Sequence, residues 1–187
     1  IIFNLFSECI NRAPGLILGN PNYVKKVVFP LEILPLVILG SALFHSAISL
    51  TVWLASYIIF FGAPPVTAIW LPLIILPFAL MITGLSWILA FIGVFLRDVA
   101  QVIGLFTTAL MFMSPIFYPA SALPETYRPY LYMNPLTTII EQTRNVLFWG
   151  IAPDFLTLAV YLIAGLAFSC LGFALFQKTR KGFADVL

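Results

Sequence analysis

Hydrophobic and polar positions divide the chain into four long apolar runs that are separated by short polar segments. A helix needs about 20 mainly apolar residues to cross the hydrocarbon core of a bilayer, and each run meets that length. The pattern therefore predicts an all-α integral membrane protein, a polytopic helix bundle with four full spans. The spans are predicted over residues 33–61, 66–95, 99–118 and 155–176.

Two shorter segments precede the first run. The opening stretch "IIFNLFSECI" is apolar but too short to cross a bilayer, so residues 1–19 are expected to be the end of a truncated span and its cytoplasmic entry. Residues 20–32 carry an apolar stripe with helical spacing, which predicts a short amphipathic helix that Pro30 ends. The stripe consists of Val24, Val27, Val28 and Leu31.

The amphipathic helix has two possible roles. It can lie on the membrane as an interfacial anchor, with its lysines against anionic headgroups. It can also be a docking helix for a cytoplasmic partner. The pattern of residues leaves both alternatives open.

Positive charges lie mainly on one side of the predicted spans. Lys25 and Lys26 precede the first span, Arg97 follows the second, and three cations within residues 178–181 follow the fourth. By the positive-inside rule, both ends of the chain are predicted to be cytoplasmic. Residues 33–187 then form the transmembrane domain.

The segment over residues 134–150 has a helical pattern but is only moderately apolar. If it crossed the membrane, the cations after the fourth span would lie outside the cell. Glu141 and Arg144 also occupy its middle. We therefore predict an external, re-entrant region over about residues 114–150, covered at membrane depth by protein or by a water-filled cavity.

Composition narrows the class of protein further. Hydrophobic residues make up 62% of the 187 residues and charged residues only 9%, which excludes ordinary soluble and disordered chains. The net charge of +2 does not suggest a nucleic-acid partner. The GxxxxGK[ST] and GxSxG motifs are absent and there is a single histidine, so we expect no catalytic residue, metal site or bound cofactor in this chain.

A few polar residues are candidates for function. His45, near the middle of the first span, either lines a pathway or is a neutral imidazole bonded to a neighbouring helix. Glu141 and Arg144 share a helix face at i, i+3, so they can form an ion pair or line the external mouth of a pathway, and these roles are compatible. Arg97 and Asp98 form a cytoplasmic hairpin that anchors the span ends or contacts a partner.

Four stretches, in this order and spacing, resemble a known family over nearly the whole chain. They are "YVKKVVFPLEILPL", "FLRDV", "SPIFYPASALPETYRPYLYMNPLTTIIEQTRNVL" and "KGFADVL". Together they resemble the permease subunit of type-2 ATP-binding-cassette (ABC) exporters of polysaccharides, the group that serves O-antigen, capsule and teichoic acid export.

The resemblance implies a subunit of six membrane helices in the cytoplasmic membrane of a bacterium. Two copies would pair as a homodimer with two ATP-binding-cassette subunits, which would bind the ATP and magnesium. A lipid-linked polysaccharide would move outward between the two permeases, in contact with membrane lipids.

The resemblance also assigns site residues. The ATPase-coupling segment would contain Asn22, Tyr23, Lys25, Lys26, Val28 and Phe29. The external re-entrant helices and gate would contain Pro115, Tyr118, Pro119, Asn134, Pro135, Glu141 and Arg144.

Other functions remain as alternatives. An exporter of the same fold could carry another lipid or a drug. An intramembrane glycan or acyl transferase would use His45 or Glu141 as base, although no second acid or nucleophile converges with them in the sequence. A channel or ion-coupled transporter usually needs several intramembrane carboxylates, and the four predicted spans contain none.

Overall fold

The computed structural model describes residues 1–25, 29–96 and 98–183, and every regular element in these ranges is helical. The prediction of an all-α fold is therefore confirmed for the described residues. The helices are α1 Ile2–Arg12, α2 Pro21–Lys25, α3 Ile33–Phe61, α4 Leu71–Phe95, α5 Val99–Met113, α6 Arg128–Tyr132, α7 Pro135–Arg144 and α8 Phe155–Thr179. Short turns of 3₁₀ helix occupy Val66–Trp70, Ala120–Ala122 and Arg180–Gly182, and a π-helical turn, Asn145–Trp149, continues α7.

Three helices in the described part of the chain are long and apolar enough to cross a membrane. They are Ile33–Phe61, Val66–Phe95 and Phe155–Thr179. The first two have the predicted bounds, and the third extends three residues beyond the predicted end at residue 176. Long apolar runs specify their helices because each backbone group must be hydrogen-bonded inside the bilayer.

The predicted span over residues 99–118 is wrong at its end, since α5 stops at Met113. With 15 residues, α5 is about 22 Å long, which is less than the roughly 30 Å of a bilayer core. The physical reason is Pro115, because the residue before a proline avoids the helical region and Ser114 is extended. Within the residues that the structure describes, the predicted count of four full-length spans is therefore corrected to three long helices and one short apolar helix.

Helices α4 and α8 form the most extensive contact between described helices, and glycines allow their backbones to approach closely. A Cβ atom on Gly172 would lie 2.3 Å from the carbonyl oxygen of Gly84, and one on Gly84 would lie 2.7 Å from the oxygen of Phe168. A Cβ atom on Gly165 would lie 2.8 Å from the Pro77 carbonyl oxygen of α4. Small residues allow such backbone approach between membrane helices, where packing replaces the hydrophobic effect.

The bundle has two ends, which the chain order distinguishes. We call residues 20–25, 29–32, 95–96, 98–99 and 178–183 the basal end, because α3 starts there and α4 and α8 finish there. Residues 62–70 and 114–154 form the opposite end, called the loop end. The predicted domain limits, residues 1–19, 20–32 and 33–187, stay a prediction.

Helix α7 belongs to the loop end and does not cross the bundle. Its 10 residues span about 15 Å, roughly half of a bilayer core. Its start contacts Ser114 and its end, near Val146, contacts Thr67, so both of its ends lie at the loop end. The apolar face of α7 is buried against α1 and α4.

Candidate functional site

Glu32 joins three helices at the basal end. Its carboxylate accepts a 2.9 Å bond from the guanidinium of Arg180, just beyond α8. Its main-chain carbonyl accepts a 3.0 Å bond from the indole N–H of Trp87 on α4. Glu32 itself is the residue that precedes α3. The segment that leads into α3 is thus tied directly to α4 and α8.

An apolar cluster supports this junction. Trp87 packs edge-on against Phe173, and Phe183, beyond α8, packs against Phe176 at 5.4 Å between ring centroids. Leu31, from the predicted amphipathic stripe, is buried in the same cluster. The burial of Leu31 places this one residue of the predicted stripe against the bundle.

The predicted coupling residues lie at the basal end as far as the structure describes them. Asn22 and Tyr23 are exposed on α2, and the rings of Tyr23 and Phe29 stack 4.8 Å apart. Lys25 is the last residue of α2. Lys26 and Val28 lie outside the described residues, as does Val27 of the predicted stripe.

The predicted hairpin between α4 and α5 is also at the basal end. Asp98 is exposed and occupies the N-cap position of α5, where its side chain makes no capping hydrogen bond. Arg97 lies outside the described residues. The choice between membrane anchor and partner contact stays open.

A charged network holds the loop end together. Arg144 pairs with Glu141, and its second terminal nitrogen donates a 2.6 Å bond to the carbonyl of Pro115. The same Glu141 oxygen accepts a 3.0 Å bond from the main-chain N–H of Ala120. The i, i+3 pair predicted from the sequence is therefore present. It also fixes the loop that follows α5, which sequence spacing did not indicate.

Asn134 caps the start of α7, and Pro135 is its first helical residue. The Asn134 side-chain oxygen accepts a 3.0 Å bond from the N–H of Leu136, and its amide donates to the Ser114 hydroxyl at 2.9 Å. Pro135 is the first helical residue, where a missing N–H costs nothing. Tyr118 and Pro119 lie in the connecting segment between α5 and α6. Their role at a gate stays a prediction.

His45 has a partner that sequence reasoning missed. Its Nδ1 lies 3.0 Å from a carboxylate oxygen of Glu8 on α1, and Arg12 contacts the same carboxylate at 3.2 Å. Glu8 lies in the opening stretch, before the four predicted spans, so the count of intramembrane carboxylates did not include it. The signal available was the pattern of α1, an amphipathic helix whose one acidic residue lies a single turn before Arg12.

Asp154 caps the start of α8 at the loop end. Its carboxylate accepts bonds from the hydroxyl and main-chain N–H of Thr157 and from the N–H of Leu156. These bonds, led by that from the Thr157 hydroxyl, hold the pKa of Asp154 below its usual value. Gln142 of α7 accepts a bond from the Asp154 N–H, which ties α7 to α8.

Comparison with known proteins finds relatives that are named for the export of O-antigen or the transport of polysialic acid. The chain is 25% identical over 171 residues to the O-antigen export system permease protein RfbA of Klebsiella pneumoniae, covering 91% of this chain and 66% of that protein. It is 23% identical over 182 residues to the RfbA protein of Myxococcus xanthus, covering 96% and 70%. It is 27% identical over 187 residues to the polysialic acid transport protein KpsM of Escherichia coli, covering 97% and 70%.

The chain thus spans just under two thirds of the length of its Klebsiella relative. A family model described as ABC-2 type transporter matches residues 1–148, which is most of the chain. The long apolar helices agree with a multi-pass membrane protein. The chain belongs to the ABC-2 type transporter family.

Proposed function

We propose that the chain is the membrane-spanning permease subunit of an ATP-driven exporter that moves a lipid-linked polysaccharide outward across the cytoplasmic membrane of a bacterium. Family membership supports the transport role. The names of the relatives, which refer to O-antigen and polysialic acid, support a polysaccharide as the substrate.

The observation that carries the proposal is the junction around Glu32. A force applied to residues 20–32 reaches α3 directly, α4 through Trp87 and α8 through Arg180. Asn22 and Tyr23 of the same segment are exposed and free to meet a partner surface. Such a segment is suited to pass movement from a cytoplasmic subunit to membrane helices.

ATP binding is assigned to that partner. The chain lacks a phosphate-binding GxxxxGK[ST] motif, so two ATP-binding-cassette subunits would bind ATP and magnesium. Two copies of the permease would form a homodimer around the pathway. The basal end would then be cytoplasmic and the loop end external, in agreement with the distribution of Lys and Arg.

A charge reversal at the basal end tests the coupling assignment. The protein is purified with its ATP-binding subunit in lipid nanodiscs, and retained partner and ATPase rate are measured. Lys25→Glu is expected to weaken partner binding at least about tenfold. The new carboxylate would either repel an acidic group of the partner or be left without a basic group to pair with in the contact. Lys178→Glu, the same change on an exposed residue of α8 at the same end, is the matched control and is expected to have little effect.

Equal loss in both variants, or unchanged binding in both, would contradict the coupling role of residues 20–32. The transferase alternative makes a different prediction. His45→Ala and Glu141→Gln would abolish product formation in the absence of any ATPase. In the structure His45 contacts Glu8, and Glu141 is paired with Arg144.

A further inference from the structure

A cleft at the loop end adjoins the charged network of Glu141 and Arg144 and the capped start of α8. Two cavities of about 390 and 270 Å³ adjoin there, and both are lined by Tyr132, Glu141 and Asn145. The larger also contacts Trp149 and the smaller Asp154. We call this combined space the loop-end cleft.

One face of a single helix forms the floor of the loop-end cleft. Thr138, Glu141, Gln142, Asn145 and Trp149 follow each other at i, i+3, i+4, i+7 and i+11, so they share a face of α7 and its π-helical turn. The opposite face is apolar and buried in the bundle. The polar face is therefore turned into the cleft, where it meets α6 and the start of α8.

Besides the polar face of α7, the π-helical turn that follows α7 also indicates a functional site at the cleft. It occupies Asn145–Trp149 and ends at Gly150, whose φ of 65° is left-handed. The wider turn is closed by a bond from the Gly150 N–H to the Asn145 carbonyl, and the Ile151 N–H donates to the same carbonyl. Isolated π-helical turns are uncommon and are frequent at functional sites. This one lies where the helix lines the cleft.

The lining has the chemistry of a sugar-binding surface. Tyr132 and Trp149 are 50% and 67% exposed, and they present aromatic rings on which the C–H face of a sugar ring can pack. Among the described residues, the carboxamide of Asn145 makes no hydrogen bond to protein. A carboxamide both donates and accepts, so it can bind paired hydroxyl groups.

Charge argues against a phosphate as the occupant. Among the described lining residues, the charged groups are the carboxylate of Glu141, which is paired with Arg144, the carboxylate of Asp154 and the guanidinium of Arg128. Arg128 is already paired with Glu125. A site built for a phosphate usually presents several donors and cations instead.

We infer that the loop-end cleft binds a neutral, hydroxyl-rich sugar unit of the transported glycan, with Asn145 as hydrogen-bonding residue and Tyr132 and Trp149 as packing surfaces. This inference rests on the proposed function. The site lies on the side of the bundle that the proposal places outside the cell. A sugar unit held there would have passed the membrane.

Binding is measured with the protein in lipid nanodiscs and without any ATP-binding subunit. The probes are neutral gluco-, galacto- and manno-hexasaccharides, with inorganic phosphate for comparison. At least one hexasaccharide is expected to bind saturably, by saturation-transfer NMR, and to change the tryptophan fluorescence. Trp149→Phe is expected to remove the fluorescence change while retaining binding, because phenylalanine still offers a ring face.

Two further variants test the site directly. Asn145→Ala and Tyr132→Ala are each expected to raise the dissociation constant at least about fivefold. Tyr130→Ala is the matched control, since Tyr130 is 71% exposed on the same helix and does not line the cleft. It is expected to bind like the unmodified protein.

The inference is overturned if no hexasaccharide binds, if phosphate binds more tightly, or if Tyr130→Ala weakens binding as much as Tyr132→Ala does. Each of these results leaves the exporter proposal intact, because that proposal depends on the basal end. Conversely, failure of the Lys25→Glu experiment leaves sugar binding at the cleft to be judged by its own measurements.

Discussion

The two ends of the helix bundle are held together in different ways. At the basal end, Glu32 and Arg180 form an ion pair whose side chains are 22% and 38% exposed. At the loop end, Glu141 and Arg144 are 19% and 18% exposed, and they also bind two main-chain groups of the α5–α6 connection. Both pairs are partly buried, but the Glu141–Arg144 pair is the less exposed and makes the two additional bonds. Exposure to solvent weakens an ion pair, so the loop-end pair is expected to contribute more to stability than the basal-end pair.

The largest expected effect comes from removing the guanidinium at each end in turn. Arg144→Met leaves Glu141 unpaired and the Pro115 carbonyl without its donor, and should cost about 3 kcal/mol of stability. Arg180→Met removes a partly exposed partner of Glu32 and should cost less than about 1 kcal/mol. Thermal unfolding in detergent measures both. Equal shifts in Tm would show that the two ion pairs contribute equally to stability.

A second test concerns the contact between α4 and α8, which connects the ends. Gly172→Ala places a methyl group 2.3 Å from the Gly84 carbonyl oxygen, so the helices must separate, at a cost of about 1–3 kcal/mol. Gly104→Ala on α5 meets no atom within 4 Å and should stabilise the helix by up to about 1 kcal/mol. Thermal unfolding should therefore give changes of opposite sign. The same sign in both variants would contradict the glycine contact.

A third test asks whether the hydrogen bond of Trp87 restrains the backbone at the basal end. Trp87→Phe keeps most of the buried ring but removes the bond to the Glu32 carbonyl, at a cost of about 1 kcal/mol. Amide exchange in residues 29–36 should become faster, while exchange in α7 should not change. Trp70→Phe, at the start of α4 and packed on Phe155, is the control and should leave residues 29–36 unaffected. Slower or unchanged exchange at the basal end would contradict the junction.

Local patterns in the sequence predicted a large part of this structure. The spans over residues 33–61 and 66–95 follow from apolar length, and the Glu141–Arg144 pair follows from i, i+3 spacing. The end of α5 was predicted wrongly although its cause is local. The prediction followed the length of the apolar run and did not take account of the effect of Pro115 on the residue before it. Hydropathy continues through that proline, but helical backbone does not.

Contacts between distant residues were beyond such reasoning. Glu8 and His45 lie 37 residues apart, and Glu32 and Arg180 lie 148 apart. The sequence spacing of these residues does not indicate either contact, because both contacts depend on how whole helices pack. The loop-end cleft has the same origin. The shared face of α7 could be read from its spacing, but the walls from α6 and α8 are brought to it only by the fold.

The smallest expected effect compares two aspartates, one at the start of a helix at each end. Asp154 accepts capping bonds at α8, whereas Asp98 makes no capping bond at α5. Asp154→Ala should lower Tm at neutral pH, and Asp98→Ala should change it less. Thermal unfolding measures both, and an equal decrease would show that capping at the loop end adds nothing.

Acid titration separates the charge of Asp154 from its hydrogen-bonding role. Its folded pKa is lowered below the usual 3.8 by the Thr157 and Leu156 bonds, so the carboxylate stabilises the fold above that value. The stabilisation is lost as the pH falls through the lowered folded pKa. Asp154→Asn keeps an oxygen acceptor but does not titrate. Its Tm difference from the unmodified protein should therefore shrink between neutral pH and about pH 3. A difference that stays constant would assign the cap to hydrogen bonding alone.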